Sequence, residues 1–67
     1  MEIIFYYTIS RINNKIVVDA FSDLGNYNYN NYNNLESLKD DIKHDFKKSK
    51  YKKIRFQRIY KKDIILN

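Results

Sequence analysis

The chain predicts a small α+β domain in which one helix packs on one face of a short sheet, and three stretches carry that expectation. Ile3, Phe5, Tyr7 and Ile9 alternate with Ile4, Tyr6, Thr8 and Ser10 in a β-branched and aromatic background, the two-residue period of a half-buried strand. Leu35, Leu38, Ile42 and Phe46 recur at spacings of three, four and four, a single apolar stripe on a helix. After the helix, Ile54 and Phe56 alternate with Lys53, Arg55 and Gln57, again at strand period.

The first strand leads into a hairpin spanning 2–21. Asn13-Asn14 separates Ile12 from Lys15, and asparagine tolerates positive φ better than any residue except glycine, so a two-residue type I′ turn is expected. That turn fixes the register: Ile12 faces Lys15, Ser10 faces Val17, Ile9 faces Val18, Thr8 faces Asp19, Tyr7 faces Ala20 and Tyr6 faces Phe21. One face then carries Phe5, Tyr7, Ile9, Ile16, Val18 and Ala20 and reads as the core side. The other carries Ile4, Tyr6, Thr8, Ser10, Val17, Asp19 and Phe21, a mixed set suited to solvent or to a partner.

Residues 22–34 read as an Asn/Tyr-rich loop with no helical period and little to bury, turning at Gly25. The helix is expected over 34–49, capped by Asn33 or Asn34. With Asn33 as cap, Glu36 falls at the third helical position, as in a capping box. Early Glu36, Asp40 and Asp41 and late Lys47 and Lys48 complement the helix dipole. A basic C-terminal strand region follows over 51–66. Its main strand runs from about Tyr51 to Tyr60, a break in parity at Ile59 predicts a bulge or strand end near Gln57–Arg58, and a short final strand is expected over 63–66. The expected order is ββαβ(β) in a single domain, with the post-helix strand parallel to the first through a right-handed crossover. The helix stripe should then cover Phe5, Tyr7, Ile9, Val18, Ile54 and Phe56.

Composition narrows the chemistry. A chain of 67 residues makes one small domain with modest burial. It has no cysteine, hence no disulfide and no thiolate ligand, and its one histidine, His44, makes no zinc site alone. No metal and no cofactor are expected. Neither a secretory signal nor an apolar run of membrane length is present, so a soluble cytoplasmic protein with no membrane partner is expected. The abundance of Asn, Tyr and Lys against a single glycine points to an AT-rich coding sequence.

Charge is distributed unevenly. Residues 1–35 carry two positive and three negative side chains, whereas 36–67 carry eleven positive and five negative. Within the second half, Lys47, Lys48, Lys50, Lys52, Lys53, Arg55, Arg58, Lys61 and Lys62 form a run without a single acid. Interleaved apolar residues let this run fold and hold its charge on a surface, where it attracts phosphates or an acidic protein over about 8–10 Å.

Joined to the open sheet face, the run suggests a binding site. Tyr6 and Phe21 form a cross-strand aromatic pair with Lys53, Arg55 and Gln57 alongside, the arrangement on which single-stranded nucleic acid stacks. The competing occupants of that face are a second copy of the chain, in a homodimer through Tyr6, Val17 and Phe21, or the chain's own C-terminal segment. Tyr27, Tyr29 and Tyr32 are candidates for an adaptable recognition loop, with codon drift as the plainer account. His44, near Asp40 and Asp41 on the helix, reads as a solvated histidine rather than an acid–base group. Asp40, Asp41 and Asp45 read as a solvated acidic face.

Three functional classes follow. The first is a small, basic, non-enzymatic protein binding nucleic acid or an acidic or nucleoprotein complex that handles it. The second, by compositional analogy with short phage and mobile-element products, is an anti-defence, anti-CRISPR-like inhibitor acting by protein binding in the host cytoplasm. The third is a small metal-independent ribonuclease toxin, for which no evident acid–base pair speaks.

Overall fold

In the computed structural model, which describes residues 1–60, the chain runs β1 (Glu2–Ile12), β2 (Lys15–Ser22), β3 (Asn28–Tyr32), α1 (Leu35–Asp45) and β4 (Lys53–Arg58). The strands form one sheet in the order β3-β2-β1-β4. The β1–β2 and β2–β3 pairs are antiparallel and β1–β4 is parallel, so the domain is α+β with an N-terminal hairpin.

The hairpin turns at Asn13 (φ 52°) and Asn14 (φ 64°), both left-handed, which is what a type I′ turn requires. Its register runs from Ile12 opposite Lys15 to Tyr6 opposite Phe21, as the turn dictates. Phe5, Val18 and Ala20 are buried on the face beneath α1, joined there by Ile3. Ile16, expected on that core face, is instead exposed, as is the whole hairpin tip from Arg11 to Ile16. Length explains this: an 11-residue strand spans roughly 37 Å at about 3.4 Å per residue, whereas an 11-residue helix spans only about 16 Å. The tip projects beyond the helix.

The expected loop at 22–34 contains a third strand. Its tyrosines, Tyr29 and Tyr32, lie opposite Ala20 and Val18, with a register shift between these partners. Asn31 takes a positive φ of 66° at that irregularity, and its N–H donates to Asp19 Oδ1 at 2.8 Å. The bulge brings two residues spaced by three onto one face, so neither strand nor helix period is visible in the sequence. Upstream, the chain reverses through Gly25 (φ 75°), and Ser22 N–H donates to the Tyr27 carbonyl at 3.0 Å.

Asn34, not Asn33, caps α1: its side chain accepts from the Ser37 N–H at 2.8 Å. Glu36 consequently sits at the second helical position and the expected capping box is not made. The helix ends at Asp45, earlier than expected, with Phe46 as its C-cap. Leu38, Ile42 and Phe46 form one core with Ile3, Phe5, Val18 and Ala20. Phe46 meets Phe5 edge to face at 5.5 Å between ring centroids.

The helix lies closest to β2 and β3. Ile54 and Phe56 on β4 are therefore only half-buried, and Lys39 Nζ reaches over the Phe56 ring at 5.3 Å. β4 stops at Arg58 as the parity break predicts, and the next N–H, of Ile59, still donates to the Tyr7 carbonyl at 2.9 Å. The expected strand over 63–66 lies outside the described residues, as do Lys61 and Lys62.

Candidate nucleic-acid interface

Strand alternation sorts side chains onto the face opposite α1. β1 contributes Glu2, Ile4, Tyr6 and Thr8, β2 contributes Asp19 and Phe21, and β4 contributes Lys53, Arg55 and Gln57. Among the described residues no element covers this face. Cross-strand pairing aligns Asn28, Phe21, Tyr6 and Gln57 in one row across all four strands. The next row toward the start of β1 pairs Ile4 with Arg55, and the one after pairs Glu2 with Lys53.

The Tyr6 and Phe21 rings lie 5.7 Å apart at an interplanar angle of 39°. Phe21 keeps 38% of its surface exposed although it is a large apolar side chain on a regular strand. Thr8, one row further on, is nearly buried. It sits on a central strand, with Asp19 opposite on β2 and the chain continuing through Ile59 on its other side.

The cationic run is acid-free along the chain but not in space. Glu2 inserts between Lys53 and Arg55, 3.7 Å from each. At that distance and exposure each pair contributes less than about 1 kcal/mol, so both cations remain able to exchange Glu2 for another anion. Two more carboxylates border the face: Asp19, occupied by the Asn31 N–H, and Asp23, whose Oδ1 accepts from the Ile4 N–H at 3.3 Å. The sheet face itself is thus mixed in charge.

The remaining cations lie elsewhere. Arg58 pairs opposite Tyr7, on the helix side of the sheet, with its guanidinium carbon 5.0 Å from the Tyr60 ring. Lys47, Lys48, Lys50 and Lys52 are exposed on the α1–β4 connection. That connection is ordered by Ser49, whose hydroxyl donates to the Phe46 carbonyl at 2.9 Å and accepts from the Tyr51 N–H at 3.1 Å. Tyr51 packs on Phe46 at 6.0 Å and carries Lys50 over its own ring at 5.5 Å. Positive charge therefore rims the β4 edge and one end of the domain rather than filling one plane.

Of the three tyrosines expected in a recognition loop, Tyr29 and Tyr32 lie on β3 with their rings 6.5 Å apart, and Tyr27 precedes the strand. Tyr29 and Tyr32 face the helix side, where Tyr29 meets Phe5 edge-on at 5.8 Å. Their hydroxyls donate to Asp45 Oδ2 at 2.8 Å and Asp41 Oδ2 at 2.7 Å. Burial, and then the bond to Asp45, pushes the Tyr29 phenol well above its usual range; the bond to Asp41, and then burial, raises Tyr32. Tyr27 packs edge-on against Phe46 at 4.9 Å yet stays 38% exposed. Asp41 and Asp45 are thus engaged with β3 rather than forming a simply solvated face. His44 is exposed in an open depression with Asp45, Lys47 and Lys48.

Asn28 is the residue of this surface that sequence reasoning missed. Its place beside Phe21 exists only because β3 exists, and β3 has no period to betray it. Among the described residues there is no cluster of His, Cys, Asp and Glu able to hold a metal ion, and no helix long and apolar enough to cross a membrane. No family model matches the chain, and neither does any curated protein or solved structure.

Proposed function

We propose that this protein binds nucleic acid without chemical turnover, using the sheet face opposite α1 and the cations along β4. The observation that carries this reading is the Tyr6–Phe21 pair on the face opposite α1, Tyr6 half-buried and Phe21 exposed, with Arg55 and Lys53 on the adjoining rows of the same face. A rigid aromatic pair supplies surface for bases, and two exchangeable cations supply phosphate contacts. Lys47, Lys48, Lys50 and Lys52, held by the Ser49 turn, extend the attraction around the β4 edge and raise the encounter rate.

The test is a salt titration of binding to DNA and RNA oligonucleotides. Affinity should fall steeply, by roughly 0.7–0.9 log units per log unit of salt for each phosphate contact. Salt-independent binding, or none, would refute the reading.

A second reading, an inhibitor that docks on a host protein, draws on the mixed charge of the face. Glu2, Asp19 and Asp23 sit among the cations, as suits an interface of complementary patches. Capture of a protein partner by a chain that ignores DNA and RNA would favour it.

A further inference from the structure

Resting on the nucleic-acid reading, we infer that the ligand is a single strand whose unpaired bases stack on Tyr6 and Phe21 and whose base edges meet the amides of Asn28 and Gln57. One row of paired residues crosses all four strands. Two aromatic side chains occupy its centre and two neutral amides its ends, in the order Asn28, Phe21, Tyr6, Gln57. Neighbouring strands are about 4.8 Å apart, so the row places each amide next to a ring on the same face.

This arrangement suits bases rather than phosphates. An aromatic ring offers its π face, which every base can match regardless of sequence. An amide carries both a donor and an acceptor and pairs with the polar edge of a base lying on the adjacent ring. Neither amide carries charge, so neither adds to attraction for phosphate. The phosphate contacts lie along the strands instead, at Arg55 and Lys53 on the following rows. Rings, then amides beside them, then cations along one margin form the order in which a nucleotide presents its base face, base edge and phosphate.

Duplex does not fit this surface. In a duplex the base faces are stacked on one another and the edges are paired, leaving only phosphates and groove edges to a protein. A sheet face with rings at its centre contributes nothing to duplex binding except through its marginal cations. The bound form must therefore be unpaired for Tyr6 and Phe21 to contribute. A second copy of the chain could cover the same rings, and in that case the rings would be unavailable to bases.

The experiment compares four probes on the wild-type protein at low salt: a short single-stranded DNA, RNA of the same sequence, the corresponding duplex, and an abasic phosphodiester of equal length. The expected result is at least a tenfold preference for a base-bearing single strand over both the abasic strand and the duplex. Tyr6→Leu and Phe21→Leu should each remove on the order of tenfold in affinity for that strand and leave abasic binding unchanged. Leucine keeps apolar surface at these positions, and a thermal melt confirms the fold. The probe comparison needs no variant, so it stands even if a substitution unfolds the domain.

Equal affinity for the base-bearing and abasic strands would overturn the stacking proposal while leaving nucleic-acid binding through the cations intact. Tighter binding to duplex would do the same. Failure to bind any of the four probes would overturn both the underlying reading and this one. Sedimentation showing a stable dimer that Phe21→Leu disperses, with no gain or loss of binding to the single strand, would assign the rings to self-association and overturn the proposal.

Discussion

Tyr29 on β3 donates its hydroxyl to Asp45 Oδ2 on α1 at 2.8 Å, and one turn earlier on the helix Asp41 accepts the same bond from Tyr32 at 2.7 Å. Two residues three apart on a bulged strand thus match two residues four apart on a helix. The pair of bonds ties the edge strand to the element that covers it. This explains why an Asn-rich segment, poor in strand propensity, is held in the sheet at all.

The link has a signature in alkali. Both phenols have folded-state pKa values above the ordinary value of about 10, so the unfolded chain releases these protons first. Their contribution is fully present below about pH 10 and is lost as pH rises through the higher folded values. Denaturation midpoints should therefore drop above about pH 10, and the double variant Tyr29→Phe/Tyr32→Phe should show a shallower drop. At neutral pH, Tyr29→Phe should cost on the order of 1 kcal/mol, since the ring still packs on Phe5 and only the hydrogen bond is removed. Parallel alkaline curves for variant and wild type would break this link.

The hairpin turn is a second point of leverage. Asn13 and Asn14 both hold left-handed backbone, where a residue with an ordinary Cβ is strained by roughly 1–2 kcal/mol. Asn13→Ala and Asn14→Ala should each lower stability by about 1 kcal/mol in chemical denaturation, whereas Asn14→Gly should be neutral or stabilising. An alanine variant as stable as the wild type would show that the turn does not set the register.

What the sequence made legible follows from local physics. A two-residue Asn-Asn turn fixes pairing on both sides of itself, so every β1–β2 partner could be read from the chain. The stripe Leu38, Ile42 and Phe46 runs along one helix to its C-cap, so its burial could be read too. β3 could not, because its face is assembled by the bulge at Asn31, and that bulge depends on Asp19 in another strand. Glu2 between Lys53 and Arg55 was hidden as well: the parallel β1–β4 pairing was expected, but no turn fixes its register, and the register is what brings these distant residues together. Local periods reveal elements; cross-strand neighbours of a non-local pair appear only once the register is known.

Core substitutions should separate the covered and uncovered parts of the inner face. Leu38 and Ile42 are fully buried, so Leu38→Ala or Ile42→Ala should cost on the order of 2–4 kcal/mol, a large share of what a domain this small can have. Ile54 is half-buried because the helix lies toward β2 and β3, and Ile54→Ala should cost distinctly less. Thermal melts rank the three variants. An Ile54→Ala penalty equal to that of Leu38→Ala would mean that the helix sits over β4 after all.

Glu2 offers the most direct test of the cationic margin. Its carboxylate lies 3.7 Å from both Lys53 Nζ and Arg55 Nη1, so any phosphate that approaches these groups must displace it. The two ion pairs are exposed and worth little to the fold, so Glu2→Gln should change stability by no more than about 0.5 kcal/mol. It removes a competing anion at the only place where β1 adds negative charge beside these two cations. Affinity for single-stranded nucleic acid should therefore rise several-fold at low salt, and the salt dependence should steepen by up to about one log unit as the cations engage phosphate more fully. The opposite change, Lys53→Gln with Arg55→Gln, removes the positive charge without placing new acids beside Glu2, and should weaken binding and flatten the salt dependence. Circular dichroism checks the fold of each variant, and fluorescence anisotropy of a labelled oligonucleotide reads the affinity. If Glu2→Gln and the double glutamine variant both bind as the wild type does, Lys53 and Arg55 take no part, and the cations of the Ser49 turn become the seat of the electrostatic contact.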